Sequence, residues 1–197
     1  MKTILIDCDG VCLDWEEAFL VWMQHKGYTP AADYKQRYSI DRWFDFDKAK
    51  GKTMVTEFNA SAAMGFLPPL RDAQHYIKKL AEKDQYKFVA VTSMSSDPFA
   101  QKLRIQNLKK LFGRETFTEF HILGCGDDKD DILSELSSKY KGAYWVEDKI
   151  KNAEVGMSFG LKPLLMEHGH NMDYNGPATL VKDWEEIYSI ITEKWRK

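Results

Sequence analysis

The chain has 197 residues, of which 44% are hydrophobic and 29% are charged, and its formal net charge is −2. This length suits one domain, or one domain with a modest insertion, and the composition is that of a folded globular protein rather than a disordered one. The small net charge, without a run of lysine and arginine, argues against binding to duplex nucleic acid.

The N-terminal segment MKTILIDCDG carries one lysine and a very short apolar run. It has the features of neither a signal peptide nor a membrane span, so we expect a cytoplasmic protein. The three cysteines, Cys8, Cys12 and Cys125, form no CxxC pair and have no histidine at zinc spacing. We therefore expect free thiols rather than a disulfide framework or a structural zinc site.

The first predicted element is a strand over residues 3–6, an aliphatic and β-branched run that ends at Asp7. Residues 13–26 then place aromatic side chains at helical spacing, which predicts a helix that ends at Gly27. Residues 28–66 mix aromatic and charged residues without a strand pattern. We interpret them as a helical insertion.

The rest of the chain alternates between amphipathic helices and short apolar strands. Predicted strands cover residues 88–92, 120–123, 143–146 and 163–166. Predicted helices cover residues 71–83, 97–111 and 130–138, and a last helix runs through Trp184 and Ile191. This alternation predicts a doubly wound α/β fold with a parallel sheet. The catalytic core is predicted at 1–13 and 68–197, and a small helical cap at 14–67.

Polar residues stand where the predicted strands end. They are Asp7, Asp9 and Gly10 after the first strand, Thr92 and Ser93 after the second, Lys129 at the start of a helix, and Glu147 and Asp148 after the strand at 143–146. Because the carboxyl ends of parallel strands line the ligand crevice, we expect these residues to meet at one edge of the sheet.

Such a set has a chemical use. Close carboxylates repel one another unless a hard cation lies among them, so the cluster predicts Mg²⁺. Thr92 or Ser93 could donate a hydrogen bond to a phosphate oxygen, while Lys129 offsets charge on a transferring phosphoryl group. A carboxylate could then attack phosphorus.

At these positions the chain resembles the haloacid dehalogenase-like (HAD) phosphatases. The likeness rests on DCDGV from Asp7, the Thr92–Ser93 pair, Lys129 ahead of a helix, and the acid pair Glu147–Asp148. The segment GFLPPLRDAQHYIKKLAEKDQYKFVAVTS also looks like the return from cap to core in these enzymes. The resemblance implies that Asp7 is the nucleophile, forming an aspartyl-phosphate, and that Asp9 is the general acid and base.

The resemblance also implies a ligand set for the metal. Mg²⁺ would be bound by the Asp7 side chain, the Asp9 backbone carbonyl and Asp148, with Glu147 acting through water. Thr92 and Ser93 take the phosphoryl-binding position, and Lys129 takes the lysine position, for which Lys149 is the alternative. His168 and His170 are either solvated loop residues or further metal ligands.

The opening DCDGVCLDW is similar to that of the 5'(3')-deoxyribonucleotidase branch, which implies a nucleoside monophosphate substrate. Trp15, Phe19 and Trp43 are the candidates for stacking on a base, and the alternative is that they form the core of the cap. The chain departs from that branch in TSM where TSP is common, and in an ED rather than a DD acid pair.

Other interpretations remain open from the sequence. Within the enzyme class, the alternative is a phosphatase that acts on sugar phosphates or other small metabolites. A receiver-like module also uses aspartates, a hydroxyl and a lysine, but its lysine comes last and it has no comparable cap. An inactive binding module is the third alternative. The expected partner is a small phosphate ester, and the expected state is a monomer or homodimer.

Overall fold

The computed structural model describes residues 2–37 and 39–193. Within them the strands are β1 (Lys2–Ile6), β2 (Tyr86–Ser93), β3 (Phe117–Leu123), β4 (Tyr144–Glu147), β5 (Lys162–Met166) and β6 (Thr179–Val181). The α-helices are α1 (Trp15–His25), α2 (Ile40–Trp43), α3 (Lys48–Asn59), α4 (Ala73–Glu82), α5 (Pro98–Phe112), α6 (Asp130–Lys139), α7 (Ile150–Ser158) and α8 (Trp184–Thr192). Short 3₁₀ helices cover Tyr34–Gln36 and Ala62–Gly65.

The strands form one parallel sheet in the order β3-β2-β1-β4-β5-β6. The chain moves outward from β1 to β3, then crosses back to β4 and moves outward on the other side. The direction therefore reverses between β1 and β4, which is where open α/β sheets bind their ligands. Ile6 marks this point, because it pairs with Ala90 on one side and Val146 on the other.

The central strand is buried on both faces. Ile4 and Ile6 belong to the larger apolar core, which includes Ile77 of α4 and Ile187 of α8. Leu5, which points to the opposite face of the sheet, belongs to a second core with residues of α6 and β4. Helices thus cover both faces, and the predicted doubly wound α/β fold is confirmed.

The strand and helix predictions differ from the structure mainly at their ends. All five predicted strands are present: four lie within longer strands, and the strand predicted at 143–146 is β4, shifted by one residue. The sixth strand, β6, was not predicted. It is a three-residue strand that pairs only with β5 at the edge of the sheet.

Residues 14–67, called the cap below, contain helices and no strand among those the structure describes. Two short connections join the cap to the sheet domain, and they run side by side. The Asp14 N–H donates to the Pro68 carbonyl, and the Leu70 N–H donates to the Cys12 carbonyl, both at 2.9 Å. No helix in the described part of the chain is long and apolar enough to cross a membrane.

Candidate active site

The nucleophile predicted from the sequence follows directly on the central strand. The Asp7 N–H donates to the Val146 carbonyl at 2.9 Å, so the ladder between β1 and β4 continues to this residue. The chain then turns at Gly10, whose φ is +71°. A Cβ atom at Gly10 would lie 2.6 Å from Oδ2 of Asp148, so both the backbone conformation and the space require glycine there.

The Asp7 carboxylate is buried and held at both oxygens. The Cys8 N–H donates to Oδ1 at 2.7 Å, and the Lys129 ammonium lies 2.8 Å from Oδ2. Burial raises the pKa of Asp7 to about 6, although the Lys129 charge opposes that rise. A carboxylate held at both oxygens has a fixed orientation.

Lys129 precedes α6 and bridges two carboxylates. Its Nζ lies 2.8 Å from Asp7 Oδ2 and 2.8 Å from Glu147 Oε2. Burial alone would lower the pKa of Lys129, but the two neighbouring carboxylates outweigh burial and raise it. The lysine therefore stays charged although its side chain is only 3% exposed.

Glu147 is fully buried and uses both oxygens. Oε1 accepts from the backbone N–H groups of Asp148 and Lys149 at 2.9 and 3.0 Å. Oε2 accepts from Lys129 and, at 3.1 Å, from Nδ2 of Asn152. Glu147 thus holds Lys129 in place, and its contact with a metal through water stays a prediction.

Three carboxylates lie close enough to share a cation. One oxygen each of Asp7, Glu147 and Asp148 lies within 4.8 Å of the others. Burial raises the pKa of Asp148 to about 7, and the Asp7 charge adds to that rise. Oxygen donors whose negative charges are this poorly compensated fit Mg²⁺, which binds through one or two carboxylates and keeps several waters.

Asp9 faces a residue that the sequence did not point to. Its Oδ1 lies 2.7 Å from Nη1 of Arg104, on α5. Burial raises the pKa of Asp9, while the Arg104 charge opposes the rise. An arginine inside a helix carries no local signal of this role, because it looks like any solvated helix residue.

The two predicted hydroxyls lie differently. Ser93 lines the cavity at the end of β1, and its Oγ donates to the Asp127 carbonyl at 2.9 Å. Thr92 does not line this cavity, and its buried hydroxyl has no hydrogen-bond partner among the described residues. Their part in binding a phosphoryl group stays a prediction.

The cavity has a volume of about 200 Å³. Its lining residues are Asp7, Asp9, Ser93, Gly126, Asp127, Lys129, Glu147, Asp148, Lys149 and Asn152. The structure therefore brings together Asp7, Lys129 and the acid pair, as the strand ends predicted. Asp127 and Asn152 also line the cavity. Asp127 lies two residues before Lys129, and Asn152 lies on α7, four residues after Asp148.

The cap aromatics proposed for stacking are mostly buried. Phe19 and Trp43 are 0% and 2% exposed. Trp15 is partly exposed, but its ring stacks on Phe19 at 4.7 Å, and its Nε1 donates to Asn59 at 2.8 Å. For Phe19 and Trp43 this arrangement favours the alternative, in which cap aromatics form the core of the cap.

The two loop histidines, His168 and His170, lie outside the cavity lining. Nε2 of His168 lies 2.6 Å from the Gly10 carbonyl, so this nitrogen carries the proton and donates. Burial lowers the pKa of His168. The His170 ring stacks on that of His168 at 5.7 Å. His168 therefore supports the turn at Gly10, instead of being a solvated loop residue.

Solved structures similar to this one include HAD-family hydrolases. A haloacid dehalogenase-like family hydrolase from Streptococcus pneumoniae has a TM-score of 0.64 at 15% identity, with 97% of this chain and 98% of that chain covered. A D,D-heptose 1,7-bisphosphate phosphatase from B. bronchiseptica, solved with magnesium and phosphate, has a TM-score of 0.59 at 14% identity over 98% and 99%. L-2-haloacid dehalogenases are also similar, with a TM-score of 0.61 for that of Xanthobacter autotrophicus. The protein has the fold of the HAD hydrolases.

A curated relative comes from a bacteriophage. An uncharacterized 32.4 kDa protein from the Gp30-rIII intergenic region of Enterobacteria phage T4 is 27% identical over 194 residues, which cover 94% of this chain and 68% of the phage protein. No protein-family model matches the chain. These similarities show the fold alone, because one fold supports several different chemistries.

Proposed function

We propose that the protein is a magnesium-dependent phosphomonoesterase that works through an aspartyl-phosphate on Asp7. The observation that carries this proposal is the environment of the Asp7 carboxylate. One oxygen is paired with the Lys129 ammonium at 2.8 Å, and a carboxylate oxygen lies within 4.8 Å of one on Asp148. A nucleophile between a fixed cation and a metal site suits attack on an anionic phosphoryl group.

The residues for the metal follow from the same cluster. The Asp7 side chain, the Asp9 backbone carbonyl and Asp148 would hold Mg²⁺, with Glu147 acting through water. When bound, Mg²⁺ supplies positive charge that offsets the phosphoryl oxygens and the clustered carboxylates. Similar folds are solved with magnesium, including that of the heptose bisphosphate phosphatase, which supports this assignment.

The reaction has two displacement steps. In the first, an Asp7 oxygen attacks phosphorus, the bond to the leaving oxygen breaks, and Asp9 gives that oxygen a proton. In the second, Asp9 takes a proton from water as the water attacks phosphorus, which frees Asp7 and inorganic phosphate. Lys129 and the Ser93 hydroxyl, which line the cavity, bind the phosphoryl oxygens; the Thr92 hydroxyl, the other predicted donor, is buried and lies outside the cavity lining.

Dehalogenase chemistry fits these residues less well. A halide leaves without needing a proton, so it gives Asp9 no task in the first step. Nor does a carbon–halogen bond require a cation among Asp7, Glu147 and Asp148. A receiver-like or inactive module is also disfavoured, since the chain carries a cap and every residue of the four motifs.

The proposed substrates are nucleoside monophosphates, with a pyrimidine deoxyribonucleotide first. The resemblance of DCDGVCLDW to the deoxyribonucleotidase branch supports this choice, as does the partly exposed ring of Trp15. The cap is the proposed specificity element, because the sheet residues serve every phosphate ester alike. A sugar-phosphate phosphatase is the second candidate, and the burial of Phe19 and Trp43 favours it.

A cytoplasmic location is consistent with the three free cysteines, because oxidising compartments favour disulfides. A monomer or homodimer is the proposed state.

A phosphate-release screen tests the function. Wild-type protein and Asp7→Asn are assayed with nucleoside monophosphates, sugar phosphates and p-nitrophenyl phosphate, each with Mg²⁺ and with a chelator. We expect release only from wild-type protein with Mg²⁺. Release by Asp7→Asn at the wild-type rate would reject the proposed nucleophile. Better turnover of sugar phosphates than of every nucleotide would reject the nucleotidase proposal and leave the phosphatase proposal standing.

A further inference from the structure

Arg104 is a fully buried arginine at the edge of the candidate active site. It lies in the middle of α5, a helix of 15 residues, and is 0% exposed. Its Nη1 donates to Asp9 Oδ1 at 2.7 Å. Since a buried guanidinium is expensive without a compensating charge, this ion pair accounts for why the arginine can lie there.

The other N–H donors of Arg104 have no oxygen acceptor among the described residues. Nη2 contacts the thioether sulfur of Met64 at 3.1 Å, and Nε has no partner among the described residues. A buried arginine that only supported packing would normally have its donors satisfied by carbonyl or carboxylate oxygens. Here the one strong bond goes to Asp9, so the guanidinium is arranged around that carboxylate.

The geometry leaves one Asp9 oxygen free. Oδ1 is held by Arg104, whereas Oδ2 makes no hydrogen bond to a described residue. The Asp9 side chain is 22% exposed, and Asp9 lines the cavity that also contains Asp7. The carboxylate is therefore held at Oδ1, while Oδ2 has no competing hydrogen bond from the described residues and the side chain lines the cavity.

We infer that Arg104 is a positioning residue, which holds Asp9 in the orientation that exchanges a proton with the leaving oxygen. This inference rests on the proposed phosphatase function. In the first step the proton passes from Asp9 Oδ2 to the leaving oxygen as the phosphorus–oxygen bond breaks. Arg104 keeps its own protons throughout, because a guanidinium does not deprotonate in proteins.

The same helix offers a matched control. Asn107, one turn after Arg104, is also buried and donates to the Leu67 carbonyl at 2.9 Å. Both side chains thus contact the segment by which the cap returns to the sheet domain, through Met64 and Leu67. Arg104 alone of the two reaches Asp9. A purely structural role would make the two variants behave alike.

The test compares esters that differ in their need for a proton. An alkyl ester, thymidine 5'-monophosphate or, if that is not cleaved, glucose 6-phosphate, has a poor leaving group that requires the general acid. In p-nitrophenyl phosphate the leaving group departs without one, so kcat/KM, which reports phosphoryl transfer, does not depend on the orientation of Asp9. The variants are Arg104→Met, Arg104→Lys and Asn107→Ala.

We expect Arg104→Met to lower kcat/KM for the alkyl ester by about ten- to a hundredfold, part of what general acid catalysis contributes. The value for p-nitrophenyl phosphate should change little, and Asn107→Ala should not separate the two esters. In an Asp9→Asn background the Arg104→Met effect should vanish, because the two residues act as one unit.

Equal losses on both esters, or a full Arg104→Met effect in the Asp9→Asn background, would overturn the inference. Arg104→Lys decides the matter if Arg104→Met does not fold. Lysine keeps the charge but not the planar fork, so we expect a smaller loss confined to the alkyl ester; an unchanged ratio between the two esters would overturn the inference. Absence of phosphate release from every ester by the wild-type protein would overturn the proposed function and, with it, this inference.

Discussion

The Lys129 ammonium lies 2.8 Å from Oδ2 of Asp7, and the lysine is held there by Glu147 at the same distance. These contacts join three segments that are far apart in sequence, at the point where the strand order reverses. The lysine thus places one positive charge between two carboxylates and fixes the orientation of the proposed nucleophile.

Removal of Lys129 should therefore damage both folding and turnover. In Lys129→Met, two buried carboxylates lose their partner, and we expect the free energy of unfolding to fall by about 3–5 kcal/mol. We expect kcat to fall by at least about a hundredfold, since a charge that stabilises the phosphoryl group is lost. Chemical denaturation and steady-state kinetics measure the two effects.

Lys149→Met is the matched control, because Lys149 lines the same cavity without an ion pair among the described residues. Its stability and kcat should stay close to those of the wild type. A larger kinetic loss in Lys149→Met than in Lys129→Met would show that Lys149 is the catalytic lysine.

Asp148→Asn should raise the Mg²⁺ concentration needed for half-maximal activity. The substitution keeps the shape of the side chain but removes one negative charge from the carboxylate cluster. Asp127→Asn is the control, since Asp127 lines the cavity outside that cluster. An unchanged Mg²⁺ titration of Asp148→Asn would exclude Asp148 as a metal ligand.

Stability without metal should fall as pH rises. Burial raises the pKa of Asp7 to about 6 and that of Asp148 to about 7 in the folded protein. Between about pH 4 and these values the folded state binds more protons than the unfolded state, so the contribution present at low pH is lost as pH rises through the folded pKa values.

The same protons compete with Mg²⁺. We therefore expect Mg²⁺ to raise the melting temperature more at about pH 8 than at about pH 5, because the ligands must be deprotonated. Thermal unfolding with and without Mg²⁺ measures this, and Asp148→Asn should show a smaller shift at the higher pH. An equal Mg²⁺ effect at both pH values would contradict the carboxylate assignment.

The cap aromatics should separate into two groups when each is replaced by leucine. Phe19→Leu and Trp43→Leu should lower the free energy of unfolding by about 1–3 kcal/mol and reduce turnover of all esters together. If Trp15 stacks on a base, Trp15→Leu should lower kcat/KM for nucleotides by roughly ten- to a hundredfold and spare p-nitrophenyl phosphate. Parallel losses on both substrates would assign Trp15 to the cap core as well.

Much of the site could be predicted from the sequence because a parallel sheet places its strand ends together. Asp7 and Asp148 follow neighbouring strands, so finding those strands was enough to bring the two carboxylates to one edge. Lys129 could be placed by its position before α6. The topology, rather than any single residue, made these contacts foreseeable.

Other features depend on packing that no local pattern reports. The strand β6 has three residues, too few to show a periodicity. Arg104 gives no sign in the sequence that it contacts Asp9, 95 positions away. Spacing also cannot tell an aromatic residue that faces a ligand from one such as Phe19, which is buried against Trp15 and Phe58.

The most direct test is to find the phosphoryl group on the enzyme. Protein is quenched in acid during turnover of p-nitrophenyl phosphate with Mg²⁺, and the phosphorylated peptide is located by mass spectrometry. Asp9→Asn is used alongside the wild type, because loss of the base should slow hydrolysis of the intermediate and let it accumulate. We predict phosphate on Asp7 in both proteins, with more in Asp9→Asn. Phosphate on another residue, or turnover without a phosphorylated enzyme in either protein, would contradict the proposed mechanism.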